Sequence, residues 1–197
     1  MSIYNFVPQA THTQNHPFVT WDDAFSDEEI EKIKAYCENL PKNEASVGGY
    51  ENSPEAVRKS EVAWVSNNNE IGWLYDRLAY IGRNLNSKFY GFDLTGFVED
   101  FQYATYTEDD QGHYTWHNDM SDTSASSRKF TLVLQLSDPS EYEGGDLETF
   151  IGVEPGTVDK KKGMIAGFPS WTLHRVTPVT KGIRKSLVVW IAGPQFK

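Results

Sequence analysis

Hydrophobic positions change their period partway along the chain. Up to about residue 89 they recur at helical spacing. Ile30, Ile33, Tyr36 and Leu40 fall on one helix face, and Ile71, Leu74, Tyr75, Leu78, Ile81 and Leu85 form a second stripe with Asp76, Arg77 and Arg83 off it. Ser26-Asp27-Glu28-Glu29 has the form of a capping box: the Ser oxygen can accept from the third helical N–H while Glu29 reaches back. Pro41 closes that helix, and Asn67-Asn68-Asn69-Glu70 opens the next. Phe18-Val19-Thr20-Trp21 reads as a short strand, and 61–65 as another. Residues 1–16 are polar and irregular. Residues 43–60 read as a long loop, with Gly48-Gly49 as a hinge for a lid over the substrate entrance.

Beyond Phe89 the pattern shifts to short alternating runs. Strands are expected near 93–100, 101–107, 115–119, 130–137, 146–151, 163–168, 172–176 and 185–192. Turn signals separate them: Glu108-Asp109-Asp110-Gln111-Gly112, Asp138-Pro139-Ser140, Glu143-Gly144-Gly145 and Glu154-Pro155-Gly156. Many evenly spaced strands predict a sandwich or jelly roll, mainly β, with the two helices flanking one outer face. In the last strand, Arg184, Ser186, Val188 and Trp190 share one face, and Lys185, Leu187, Val189 and Ile191 the other. One face should line the barrel and the other should meet the helices. At 197 residues the chain fits a single domain.

Composition narrows the setting. A net charge of −10 argues against broad binding to nucleic acid or anionic membrane. Lys160-Lys161-Lys162 reads as a solvated turn. The single cysteine, Cys37, permits no disulfide within the chain and suits a reducing compartment. With no signal-peptide pattern and no run of membrane-spanning length, a cytoplasmic location is expected.

The chemistry concentrates in two stretches. Residues two apart on a strand point the same way, so His117 and Asp119 can present an imidazole and a carboxylate to one point. His-x-Asp alone is weak, because short His/Asp patterns are common. A third ligand from a strand distant in sequence would complete a two-His, one-carboxylate face with open positions, the pattern of non-haem Fe(II) oxygenases. His174 follows an aromatic strand start, and Arg184 lies ten residues beyond it. A buried Arg needs a partner. That partner is either a buried Asp or Glu, in a purely structural salt bridge, or the carboxylate of a ligand. His113, four residues before His117, is the rival ligand, but Tyr114-Thr115-Trp116 disfavours the helix that spacing needs. His12 and His16 lie in the polar N-terminal segment and are expected to be exposed.

His117-x-Asp119, His174 and Arg184 together resemble the 2-oxoglutarate- and Fe(II)-dependent oxygenases. The closer resemblance is to prolyl 4-hydroxylases and PKHD-type hydroxylases. It is carried by Tyr106, Gly112, Tyr114, His117 and Asp119, by 132–137 and 142–147, and by 174–184, and it covers roughly 100–194. It implies a double-stranded β-helix (jelly-roll) core at 100–197. Residues 1–99 then supply helical support and the substrate loop of a single oxygenase domain, 1–197.

The resemblance implies that His117, Asp119 and His174 ligate Fe(II), and that Arg184 binds the distal carboxylate of 2-oxoglutarate. Tyr106 stands at a family co-substrate position. Gln135 occupies a place where some relatives have a co-substrate-binding tyrosine. Trp190 and Leu147 are expected to line the substrate pocket. No catalytic side chain is implied beyond the metal centre. The implied reaction consumes O2 and 2-oxoglutarate and hydroxylates an unactivated C–H bond by positioning more than by acid–base chemistry. Ascorbate is a further candidate cofactor. The expected substrate is a proline-containing protein or peptide. The alternatives are a free amino acid or other small molecule, or a jelly-roll binding or sensing module without turnover.

Overall fold

A computed structural model describes residues 16–45, 57–120 and 124–195. In chain order the elements are β1 (Val19–Trp21), α1 (Asp27–Glu38), β2 (Asn43–Glu44), β3 (Arg58–Lys59), β4 (Glu61–Val65), α2 (Gly72–Leu85), β5 (Gly96–Phe97), β6 (Phe101–Thr107) and β7 (His113–His117). There follow β8 (Arg128–Gln135), β9 (Tyr142–Gly144), β10 (Leu147–Phe150), β11 (Gly156–Thr157), β12 (Ile165–Pro169), β13 (Leu173–Val176) and β14 (Val179–Ala192). Among the described residues the strands form two sheets. The larger runs β1-β12-β8-β14-β6-β4-β2, with β5 and β9 also pairing with β14; the smaller runs β11-β10-β13-β7-β3. This is the expected mainly-β jelly roll with two flanking helices.

Local chemistry explains the helices. Ser26 Oγ accepts from the Glu29 N–H at 3.2 Å, and Glu29 Oε2 accepts from the Ser26 N–H at 2.9 Å, so the capping box satisfies two donors at the start of α1. Ahead of α2, Asn68 Oδ1 accepts from the Glu70 and Ile71 N–H groups. The whole predicted stripe of α2 is buried. Both helices pack with Ile30, Ile33, Leu74 and Leu78 onto Phe101, Phe130, Leu132, Leu187, Val189 and Ile191 of the larger sheet. Helix and sheet approach so closely that a Cβ on Gly82 would sit 2.4 Å from Ile191 Cδ1. Full burial of such aliphatic side chains stabilises the fold by about 1.5–3 kcal/mol each.

The other face of the larger sheet looks toward the smaller sheet. There Val133, Ala166 and Phe168 pack with Leu147, Val158 and Met164, and Val188 rests against them. The two faces of β14 thus divide as their alternation predicts.

Several boundaries differ from the expected ones. Residues 43–60 are not all loop: β2 pairs with β4, and β3 pairs with β7. Residues 46–56, the middle of the lid expected at 43–60, lie outside the described residues. Strand 93–100 shrinks to Gly96–Phe97, which pairs with Ile191 and Ala192. β14 starts at Val179, because the chain continues through an irregular register to pair with β9; Gly182 there has φ +74°. His16 is half-buried, with its ring edge-on to Phe89 at 5.2 Å. Lys160 is only partly exposed, donating to the Gly144 carbonyl and pairing with Asp146, while Lys161 and Lys162 pair with Asp22 and Asp27. No described helix is long and apolar enough to cross a membrane.

Candidate metal and co-substrate site

His117, Asp119 and His174 come together between the two sheets, with one ligand atom from each lying within 4.8 Å of the others. His117 and His174 are direct register partners on β7 and β13. Asp119 arrives differently from its sequence reading. β7 ends at His117, so Asp119 is not a strand residue. Its backbone N–H donates to the Ser170 carbonyl at 2.9 Å, beyond the end of the ladder, and that contact turns the chain inward. Asp119 Oδ1 lies 3.9 Å from His117 Nε2, and Oδ2 lies 3.6 Å from His174 Nε2.

The backbone sets the histidine tautomers. His117 Nδ1 meets the Thr115 carbonyl at 2.7 Å, and His174 Nδ1 meets the Thr172 carbonyl at 2.9 Å. A carbonyl can only accept, so each Nδ1 carries the proton and each Nε2 presents a lone pair to the common point. Burial, with His174 alongside, holds the His117 pKa down at about 3, against the opposing pull of Asp119. The imidazole is therefore neutral at neutral pH, as a ligand must be. Burial alone would raise the Asp119 pKa, but the two histidines and the Thr131 hydroxyl hold it below the usual carboxylate range.

Thr131 Oγ1 donates to Asp119 Oδ2 at 2.7 Å and lies 3.0 Å from Ser170 Oγ. With its one proton committed to Asp119, Thr131 must accept from Ser170. Sequence reasoning found neither residue; a buried Thr on an alternating strand carries no signal of its partner. Trp190 is buried beside the same carboxylate and helps to keep it charged, although its Nε1 makes no hydrogen bond of ordinary geometry. The Arg128 guanidinium lies 3.7 Å from the Trp190 ring centre and is itself held by Glu99. Tyr114 stacks on His117 at 3.4 Å between ring centres. His113 is not part of the cluster; its Nδ1 faces the Gln111 carbonyl.

The second part of the site lies around Arg184, which is 2% exposed. It is the register partner of Tyr106 and sits over that ring at 5.4 Å. Its hydrogen-bond partner is Ser186 Oγ at 3.3 Å, and the Tyr142 phenol lies alongside without a hydrogen bond of ordinary geometry. Among the described residues no carboxylate pairs with it. Tyr142, Gln135, Gly145, Leu147 and Lys160 line a small cavity with Arg184. Gly145, at φ +60°, leaves this space open: a Cβ would press on Arg184 Cδ at 2.9 Å. Of the expected residues, Arg184, Gln135 and Leu147 meet at this cavity, Tyr106 flanks Arg184, and Trp190 stands at Asp119. Tyr142 and Lys160 were not anticipated as members.

Similarity to known proteins is found in both sequence and structure. Residues 101–192 match the family described as the 2OG-Fe(II) oxygenase superfamily. Residues 101–192 thus resemble a 2OG-Fe(II) oxygenase core.

Curated relatives of this core include a PKHD-type hydroxylase of Synechococcus sp. (strain CC9311), 41% identical over 41% of this chain and 37% of the relative. Another is a PKHD-type hydroxylase of Xylella fastidiosa (strain 9a5c), 35% identical over 52% of this chain and 38% of the relative. The matched part of the chain thus spans little more than a third of these relatives' length.

Among solved structures, the fold is similar to a prolyl-4-hydroxylase of Pseudomonas putida, with TM-score 0.71 and 18% identity over 91% of this chain and 94% of that one. It is also similar to a Trichoplax adhaerens prolyl hydroxylase in complex with a hypoxia inducible factor peptide fragment, with TM-score 0.72 and 16% identity over 90% and 84%. At these identities the structural likeness concerns the fold.

The residues of this site fit both Fe(II) and 2-oxoglutarate. Two neutral imidazoles with Nε2 turned inward and a buried carboxylate form a two-His, one-carboxylate face for Fe(II). A buried guanidinium without a carboxylate partner fits a dicarboxylate such as 2-oxoglutarate.

Proposed function

We propose that this protein is a 2-oxoglutarate- and Fe(II)-dependent dioxygenase that hydroxylates prolyl residues of a protein or peptide in a reducing, cytoplasmic compartment. One observation carries the enzyme class: a ligand-competent His-Asp-His cluster faces the same interior as a buried Arg184 that no described carboxylate neutralises. Leaving a charge buried and unpaired is costly, and a structural role would supply an internal partner. A binding module without turnover has no use for this pairing.

When bound, Fe(II) with 2-oxoglutarate and O2 supplies an oxidant able to hydroxylate an unactivated C–H bond, leaving succinate and carbon dioxide. The chain's contribution is positioning. His117, Asp119 and His174 hold one face of the metal, and Thr131 fixes the carboxylate rotamer. Arg184 anchors the distal carboxylate, with Tyr106 beside it. Leu147 and Trp190 wall the pocket and exclude water. No side chain beyond the metal centre is assigned a proton-transfer role, and ascorbate is a candidate reductant.

The prolyl substrate is supported by the names of the relatives and by the rim of the site. Trp64 is 42% exposed and tilts against Trp190 at 6.3 Å. An exposed aromatic beside the metal pocket suits an extended polypeptide better than a free amino acid. The test is mass spectrometry of proline-containing peptides incubated with the protein, Fe(II), 2-oxoglutarate and O2. One added oxygen on proline, with matching succinate, is expected. Succinate formation with no peptide oxidised would redirect the search to small substrates; no succinate at all would remove the enzyme reading.

A further inference from the structure

Tyr142 belongs to β9, outside the strands expected to carry co-substrate residues, yet its phenol reaches the Arg184 cavity. Its hydrogen-bond accounting is incomplete. Gln135 Nε2 lies 2.6 Å from the Tyr142 oxygen and 3.4 Å from the Ser137 carbonyl. The carbonyl can only accept, so the amide nitrogen, not its oxygen, faces Tyr142, and Gln135 is the donor. Arg184 lies beside the same phenol without a hydrogen bond of ordinary geometry, and its guanidinium can only donate. A phenol has one proton and accepts through its lone pairs. Gln135 uses a lone pair, Arg184 can take no proton, and Tyr142 donates to no described residue. Burial raises its pKa, so the proton stays on at neutral pH.

Lys160 does not supply the missing acceptor, nor does it compete with Arg184. Its Nζ lies 4.9 Å from the Tyr142 ring centre, but donates to the Gly144 carbonyl at 2.6 Å and pairs with Asp146 at 2.9 Å. The cavity therefore holds one cation without a counter-ion and one O–H without an acceptor, side by side. Its other walls are the apolar Val133, Leu147, Val158 and Met164, with Asp159 exposed at the edge and making no ion pair with Arg184.

We infer that Tyr142 donates its phenol proton to the distal carboxylate of the co-substrate beside Arg184, with Gln135 as the residue that orients the phenol. The inference rests on the dioxygenase reading above. Gln135 then acts through Tyr142 rather than on the co-substrate itself. Its donor leaves Tyr142 only one direction in which to spend its proton. Replacing Gln135 by an acceptor would capture that proton instead.

The test is calorimetric titration of 2-oxoglutarate into the protein loaded with Mn(II), a redox-silent stand-in for Fe(II). Pyruvate, which keeps the keto acid but lacks the distal carboxylate, serves as the paired probe. Tyr142→Phe removes only the hydroxyl. It should weaken 2-oxoglutarate binding about tenfold, the usual consequence of losing a hydrogen bond to a charged group. Pyruvate and Mn(II) affinities should change by less than about twofold. In an Arg184→Ala background the same substitution should add less than about twofold, since the carboxylate is no longer held against the phenol.

Gln135→Leu keeps the ring and hydroxyl in place and serves if Tyr142→Phe melts early. It should cost about threefold for 2-oxoglutarate and nothing for pyruvate, a fraction of the full hydrogen bond. Unchanged 2-oxoglutarate affinity in these variants, or equal losses for both keto acids, would overturn the inference. Unchanged affinity in Arg184→Ala would instead overturn the reading on which it rests.

Discussion

The two faces of β14 lie on one strand, yet they obey different rules. Leu187, Val189 and Ile191 point at the helices, join the large apolar cluster and are buried. Arg184, Ser186 and Trp190 point between the sheets, and they are buried too. On the first face burial is its own reward, because removing apolar area from water stabilises folding. On the second face a charge and an indole N–H are withdrawn from water without full protein partners. Stability alone would not select that face. It is explained by ligands that complete it; because Trp73 Nε1 on the helix side is unsatisfied too, it is the buried charge without a described counter-ion that marks the site.

The comparison can be broken most forcefully on the helix side. Leu187→Ala should destabilise the protein by about 2–5 kcal/mol, as large-to-small core changes do, read by chemical denaturation. Arg184→Met, by contrast, should leave the ligand-free protein as stable as before or raise its melting temperature, because an unpaired buried charge is replaced by an apolar chain of similar volume. The same variant should lose stabilisation by 2-oxoglutarate. A large destabilisation by Arg184→Met would mean that burial stabilises both faces alike.

Within the site, His174→Ala should weaken divalent-metal binding by more than about a hundredfold, since only two ligands remain. Thr131→Val preserves shape but frees the Asp119 rotamer, and should weaken metal binding about tenfold, the scale of a lost supporting hydrogen bond. Metal titration by calorimetry checks both. If Thr131→Val matched wild type, Asp119 would be held well enough by its backbone contact to Ser170.

The smallest effect lies where α1 is tied to the larger sheet by charge. Glu38 would have its pKa raised by burial, but Lys185 at 2.5 Å, Lys42 and the Tyr103 hydroxyl at 2.7 Å bring it down from 4.5 to about 2. A depressed carboxylate pKa stabilises the fold above the unfolded value and loses that contribution as pH falls. The Glu38 contribution should therefore be complete above pH 4.5 and fade toward pH 2. Glu38→Gln should flatten the acid limb of the stability curve by a small amount, because the group is a third exposed and solvent screens it. An unchanged acid limb would show that α1 is held by Ile30 and Ile33 alone.

What the sequence determined by itself is whatever short-range physics controls. The stripes of α1 and α2, the Ser26 capping box and the alternation along β14 depend on spacing and on neighbours within four residues, and each is found in the structure. The His117, Asp119, His174 and Arg184 pattern was legible through its resemblance to a known family, since His-x-Asp by itself is common.

Tertiary structure decided the rest. Asp119 reaches the metal position through a backbone bond to Ser170, fifty-one residues on, not through the strand alternation that the sequence suggested. Gln135 turns out to face Tyr142 rather than to stand alone in the cavity. Residues 58–59 leave the expected loop because β7 offers them an edge. In each case the deciding partner is remote along the chain. A backbone or side-chain group selects such a partner by direction and unmet hydrogen bonds, and neither is written in the local order of residues.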